Sequence, residues 1–394
     1  MRPSHRRRHG AVVTLAAALA ALGTGQTLGA AAATAAPHFP AATSAAPHSP
    51  APASTVATAQ DQAARAIAGS LSDSAWRDRV RTAALASDQV PVTTLAHGAL
   101  KTALASADHR IAVAKGLEGQ VGPLLRLRLG DDSMRPALTA GSTPWVAAAS
   151  SDDDTSTVTA YDSHGRAHTL DARTAPAHPV YVVDIDGSKA LAAGLKVLGA
   201  ELQRRGVASA VPVPTTAQST RKAAGQAASA AAGFWTTRIT AVELSDDEEP
   251  WVKGDAEIYT LVTGFGQDGK VRVDPVDMPY LDNDGTVYRP NQILVNWSNY
   301  KYNLADAVMM EEDGSTNYRD LAKAIATVLL TIADQGTYIP LVNAVLDAIP
   351  NDWWTDDPDY VDSWYTLARS DNGTRNGARG NGWMTVEPYF VQEF

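Results

Sequence analysis

The sequence predicts an α+β protein, in which an N-terminal α+β domain precedes an antiparallel β-sandwich with an inserted helical hairpin. Ala-rich segments with apolar residues at helical spacing come first. β-like segments separated by Asp, Gly, Asn and Pro dominate after residue 235. The charge changes at the same place: from residue 235 onward, 11 Lys and Arg stand against 27 Asp and Glu, in a chain with a net charge of −10.

The first 36 residues have the order of a secretory signal peptide. Arginines near the start precede a short apolar run from Ala11 to about Leu22, and small residues follow through Ala36. A spanning helix needs roughly 20 apolar residues, so we expect cleavage near residues 33–36 and a secreted, extracellular product. Residues 37–59 are rich in Pro, Ala, Ser and Thr, which predicts a disordered linker.

The N-terminal domain is predicted to span residues 60–214. Ser74 is placed to cap a helix with Trp76, Val80 and Ala84 on one face, and a second helix is expected over Leu100–Lys115. A third helix is expected over Lys189–Arg205. Predicted strands are Leu125–Leu129, Pro144–Ala149, Thr155–Tyr161 and Val180–Ile185, with a tight turn at Asp162–Gly165. Residues 215–234 return to Ala, Ser, Gln and Thr and are interpreted as a second linker.

The predicted sandwich spans residues 235–394. Its strands are expected at Arg238–Leu244, Ala256–Thr263, Val271–Val276, Gln292–Trp297, Leu304–Met310, Trp364–Ala368 and Trp383–Val391. Apolar residues recur at helical spacing within residues 318–349, with a break at Gly336–Pro340. This segment is therefore predicted to be a helical hairpin inserted between two strands.

Composition excludes several classes of chemistry. The chain has no cysteine, which rules out disulfides, thiolate metal sites and thiol catalysis. No zinc-peptidase, serine-esterase or phosphate-loop motif is present. His164 and His168 are four residues apart but flank a turn, which favours a surface loop over a metal site. The acidic C-terminal half repels phosphate, which disfavours nucleic acid and favours a divalent cation as partner.

Acidic residues are concentrated in loops beside the predicted strands. Converging carboxylates without a neighbouring base repel one another and need a cation, and flexible oxygen-rich loops suit calcium. The alternative is that these are solvated loop acids that keep the protein soluble. The candidate calcium ligands are Asp246, Asp247, Asp255, Glu311, Asp313, Asp359 and Asp362.

The C-terminal half resembles a divergent C2-type calcium-binding sandwich. The resemblance lies in Gly254–Tyr259, in Val308–Asp313 and in Asp359–Ser363. It implies that two loops at one end of the sandwich supply the metal carboxylates, with Glu311 and Asp313 as an acid-x-acid step and Asp359 or Asp362 as the later acid. An insertion of about 40 residues splits the second loop, so membrane binding is not expected to follow from the resemblance.

The mature chain also resembles a family of uncharacterised secreted bacterial proteins, defined only as a domain of unknown function. The resemblance lies in Pro179–Val183, Ala241–Tyr259, Glu311–Asp313 and Trp353–Tyr365. It implies that the two halves belong together and implies no activity.

Two functions follow from the sequence. The first is a secreted accessory or binding protein with a calcium-binding sandwich and an unidentified protein or carbohydrate ligand. The alternative is a calcium-dependent extracellular hydrolase, which would need two carboxylates facing each other across a cleft, with polysaccharide as the substrate. Aromatic residues near the chain end could form a sugar platform or pack in a core: Trp353, Trp354, Tyr360, Trp364, Tyr365, Trp383, Tyr389 and Phe390.

Overall fold

The computed structural model describes residues 55–149, 156–210, 233–245, 251–253, 256–312, 314, 316–349 and 360–392. In these residues the helices are α1 Thr55–Ser70, α2 Ser74–Ala86, α3 Val92–Leu95, α4 Gly98–Ala114, α5 Arg135–Thr139, α6 Gly187–Arg204, α7 Tyr318–Leu329 and α8 Val342–Ala348. None of the helices in this part of the chain combines the length and apolarity that a membrane span requires. The predicted signal peptide lies outside the described residues.

The starts of the first two helices differ from the prediction. Helix α1 begins at Thr55, inside the segment expected to be a linker, because Val56 and Ala59 are buried where α1 packs against α4 and the first sheet. Helix α2 is capped by Asp73, whose carboxylate accepts hydrogen bonds from two backbone N–H groups, and Ser74 is the first helical residue.

The first sheet belongs to the N-terminal half. Its strands are β1 Leu125–Leu129, β2 Trp145–Ala148, β3 Thr157–Tyr161, β4 Ala167–Asp171 and β5 Val180–Ile185, in the order β1-β5-β2-β3-β4. Strands β2 and β5 are parallel, and the other pairs are antiparallel. The predicted turn at Asp162–Gly165 joins β3 to β4, a strand that sequence reasoning missed because its residues are mostly polar.

Two antiparallel sheets form the C-terminal half. The first contains β7 Ile258–Phe265, β8 Val271–Asp277, β10 Leu304–Glu311 and β11 Tyr360–Ala368, in the order β11-β10-β7-β8. The second contains β6 Gly233–Leu244, β9 Gln292–Asn296, β12 Gly373–Asn376 and β13 Gly382–Gln392, in the order β12-β13-β6-β9. One apolar core joins side chains of both sheets, including Val242, Val262, Met309 and Met384. The predicted α+β class with sandwich packing is confirmed.

The sheet that contains β7 and β10 is buried on both faces. One face packs in the sandwich core, and the other shares a second core with α6 and α7, where Leu195 and Ile325 meet Leu261 and Met310. Every residue of β7 is buried as a result. The predicted linker at 215–234 ends too late, because Gly233 and Phe234 already belong to β6. Its other residues, 215–232, lie outside the described residues, so the boundary itself stays a prediction. The core packing nevertheless joins residues on both sides of it.

Candidate functional site

Three strands of the sheet that is buried on both faces start or stop at the same end of that sheet. Strand β10 ends beside the start of β7, where Glu311 pairs with Ile258, and the N–H of Glu312 donates to the carbonyl of Glu257 at 3.1 Å. Strand β11 begins on the other side of β10, where Tyr360 pairs with Met310. We call this end of the sheet the acidic end. The chain segments that carry most of the predicted calcium ligands enter or leave the sheet here.

The predicted ligands fall into two groups. Glu311 and Asp362 lie within the described residues, and Glu311 is buried in the last position of β10, with only 2% of its surface exposed. Because side chains alternate along a strand, Glu311 lies on the same face as Met309, which packs in the sandwich core. The remaining candidates lie outside the described residues: Asp246, Asp247, Asp255, Asp313 and Asp359.

Asp362 has a structural environment. Its Oδ1 accepts hydrogen bonds from the N–H groups of Ser363 and Arg379, and its Oδ2 accepts from those of Asn381 and Gly382, at 2.7–2.9 Å. Gly377 packs directly on the carboxylate, since a Cβ there would lie 2.0 Å away. All four acceptor positions of Asp362 are engaged by backbone. We therefore assign Asp362, a residue of β11, the structural role of holding the turn before β13, and we leave it out of the metal site proposed below.

A lysine from the N-terminal half lies at the acidic end. The Nζ atom of Lys115, at the end of α4, donates to Glu312 and to the carbonyl of Gly314, the latter at 2.8 Å. The hydroxyl of Tyr318 donates to the other oxygen of Glu312. The side chains of Lys115 and Glu312 are both fully buried. Burial, followed by the charge of Glu312, raises the pKa of Tyr318 well above its ordinary value.

Because of Lys115, the charge balance of the acidic end differs from the one that the sequence suggests. The segment Glu311–Asp313 contains no base, yet the fold supplies one from 197 residues away. Glu312 is thus balanced by Lys115 and needs no metal ion. The carboxylate of Glu257 packs on Gly187 at the N-terminus of α6. The positive end of the helix dipole there stabilises the negative charge of Glu257.

The loop between β6 and β7 reaches the first sheet. The carbonyl of Trp251 accepts a hydrogen bond from Arg128 at 3.0 Å, and Arg128 also pairs with Asp184 at 3.1 Å. Burial raises the pKa of Asp184, while Arg128 and Lys253 act in the opposite direction. The acidic end therefore lies next to a set of charged residues from both halves of the chain.

The histidines of the first sheet pack against an indole. The ring of His168 stacks on Trp145 with centroids 4.0 Å apart, and His178 covers Trp145 at 4.2 Å. The other contact of His168 is with Asp162, at 3.2 Å. His164 is exposed, and no group of three or more possible metal ligands occurs in the described part of the chain. These contacts indicate a packing role for His168 and His178.

Acid is expected to destabilise the protein through His178. Burial is the main cause that lowers the pKa of His178, and repulsion from His168 also lowers it, while a hydrogen bond that the ring donates to the backbone of Thr143 acts in the opposite direction. A depressed histidine pKa means that the fold favours the neutral ring, so its stabilisation is complete above about pH 6.5 and is lost as the pH falls through the folded-state pKa. The melting temperature should fall between pH 7.5 and 5 by less in His178→Gln than in the wild-type protein. The exposed His164→Gln variant is the control, and equal slopes in all three proteins would contradict the prediction.

The fold and the acidic end define an α+β protein with a C-terminal antiparallel sandwich. A family model described as a protein of unknown function, DUF3103, matches residues 53–394, and the chain belongs to that family. No curated protein and no solved structure matches the chain.

Proposed function

We propose that this chain is an exported, non-enzymatic binding protein whose C2-like sandwich takes up calcium at the acidic end. The observation that carries the proposal is the strand register: β7, β10 and β11 start or stop within one residue pair of each other. Loops that leave neighbouring strands at the same end of a sheet begin close to one another. In sequence, residues 255, 313 and 359 stand next to the ends of these three strands, whereas residues 246 and 247 follow β6 of the other sheet. The register therefore supports convergence of the acids that flank β7, β10 and β11.

The charge of the neighbourhood limits which acids take part. Lys115 balances Glu312, and Asp362 binds backbone N–H groups, so neither acid needs the ion. The proposed ligand set is therefore Glu311 with Asp246, Asp247, Asp255, Asp313 and Asp359. Calcium takes six to eight oxygens at about 2.3–2.6 Å, a number that side chains and carbonyls of several loops can supply.

Calcium is expected to raise the melting temperature by a few degrees. Extracellular calcium modules bind in the range of about 10⁻⁴ to 10⁻³ M, so 1 mM calcium should add roughly 0.4–1.4 kcal/mol to the free energy of unfolding. The measurement is a melting curve of the purified protein with chelator, with calcium and with magnesium, together with a calorimetric titration.

Matched variants locate the effect. Asp255→Asn with Asp313→Asn should abolish the calcium-dependent shift, whereas Asp88→Asn removes an exposed acid of the N-terminal half and should preserve it. If calcium changes neither the melting temperature nor the heat signal of the wild-type protein, the calcium site is abandoned and only the sandwich remains.

A further inference from the structure

The dipeptide Asn–Gly occurs at three places near the end of the chain, in or beside the hairpin of β12 and β13. These are Asn372–Gly373, Asn376–Gly377 and Asn381–Gly382, and the sequence contains no others. Asn–Gly is chemically reactive, because glycine has no side chain to shield its amide nitrogen from the side-chain carbonyl of the preceding asparagine. The same dipeptide recurs each time, so the surrounding fold determines which of the three reacts.

Two of the three glycine amides are held by hydrogen bonds. The N–H of Gly377 donates to the carbonyl of Gly382 at 2.8 Å, and the N–H of Gly382 donates to the Oδ2 atom of Asp362 at 2.9 Å. Gly382 is also buried. A nitrogen that is held in this way can attack a neighbouring carbonyl only after the structure opens locally, and the free energy of that opening slows the reaction. The fold therefore protects Asn376 and Asn381.

Asn372 lies where the main chain is less restrained. It is exposed and lies outside any helix or strand, in the connection between β11 and β12. Gly373, with φ at +111°, is the first residue of β12, a four-residue strand at the edge of its sheet. Its pair with Val386 is the terminal pair of that strand, and terminal pairs open at little cost in free energy. The reacting atoms can therefore approach while the rest of the sheet stays intact.

We propose that Asn372 is a site of spontaneous deamidation. The main-chain nitrogen of Gly373 attacks the Cγ atom of Asn372, a C–N bond forms, and the side-chain nitrogen leaves as ammonia with the proton that the attacking nitrogen loses. Water then opens the five-membered imide that results. Cleavage of the bond to Cγ gives aspartate, and cleavage of the bond to the main-chain carbonyl carbon gives isoaspartate. Solvent water is the co-reactant, and the reaction needs no catalytic side chain.

The products change the beginning of β12. Both carry a new negative charge beside Asp371, whose carboxylate accepts a hydrogen bond from the N–H of Ala368 at 2.9 Å and pairs with Arg375. Isoaspartate also adds one atom to the main chain directly before Gly373, which displaces the pair of Gly373 with Val386. Deamidation therefore loosens the edge strand β12 and leaves the sandwich core in place.

Peptide mapping by mass spectrometry tests the proposal. The purified full chain is incubated at mildly alkaline pH, folded or in urea, and each deamidated peptide is identified by its mass increase of about 1 Da. In the folded protein Asn372 should react about tenfold faster or more than Asn376 and Asn381, because reaction at those two requires local opening. In urea all three should react at similar rates. Asn372→Gln should remove the fast reaction, since the longer side chain would have to close a larger ring.

Hydrogen exchange measures the effect on β12. Amides of β12 should exchange faster in the incubated wild-type protein than in freshly prepared Asn372→Asp, which carries the added charge on an ordinary main chain. Equal deamidation rates at the three asparagines of the folded protein would overturn the proposal, because the fold would then exert no selection. Faster reaction at Asn376 or Asn381 would also overturn it, as would an Asn372 that stays intact while the chain in urea deamidates. None of these measurements involves calcium, so their outcome is independent of the proposed function.

Discussion

Replacing Lys115 by methionine is expected to lower the free energy of unfolding by about 3–5 kcal/mol, the usual effect of removing one partner of a buried ion pair. Neither Lys115 nor Glu312 has any side-chain surface exposed. The variant leaves the carboxylate of Glu312 in the core with the Tyr318 hydroxyl and the Gly314 N–H as its remaining contacts. Desolvation of that charge then opposes folding. Urea denaturation followed by circular dichroism measures the loss.

Two further variants separate this effect from a general loss of charge. Lys101→Met removes an exposed lysine from the same helix, α4, and should change stability by less than about 0.5 kcal/mol. Lys115→Met combined with Glu312→Gln removes both charges, so it should be more stable than Lys115→Met alone. A single Lys115→Met variant within 1 kcal/mol of the wild type would show that the pair does not hold the two halves together.

Local sequence patterns predicted much of the secondary structure. The predicted bounds of β1, Leu125–Leu129, and of β5, Val180–Ile185, are those observed, because alternating Leu and a Val/Ile run are strong local signals. Helices α7 and α8 lie between β10 and β11 as predicted, since the apolar face of α7 repeats at helical spacing. Short polar strands such as β12, Gly373–Asn376, carry no such signal and were missed.

The environment of the candidate site depends on long-range contacts that no local pattern contains. The order of the strands predicts that the acidic loops share an end of the sandwich, and the register supports this for their bases. The pairing of Lys115 with Glu312 joins residues that are far apart in sequence, and Lys115 alone looks like an ordinary lysine at a helix end. Asp362 resembles a metal ligand in sequence, yet the turn before β13 encloses its carboxylate with N–H groups.

Gly194→Ala is expected to destabilise the protein by about 2 kcal/mol, although alanine favours a helix over glycine by about 1 kcal/mol. Gly194 lies within α6, and a Cβ there would fall 2.1 Å from the ring of Tyr318. Tyr318 is fully buried and its hydroxyl is bonded to Glu312, so the ring cannot move aside without breaking that contact. Relief of the overlap therefore requires α6 to move away from α7. Because α6 belongs to the N-terminal half and α7 to the C-terminal half, this movement weakens the contact between the two halves.

The matched control is Gly69→Ala in α1, where nothing lies within 4 Å of the added methyl group. This variant should be as stable as the wild type or more stable by up to about 1 kcal/mol, because only helix propensity changes. The urea midpoint of Gly194→Ala should therefore fall, while that of Gly69→Ala should rise or stay unchanged. Equal midpoints for Gly194→Ala and the wild type would mean that α6 and Tyr318 are not in close contact in solution. In that case the inference that the two halves share one core would also be wrong.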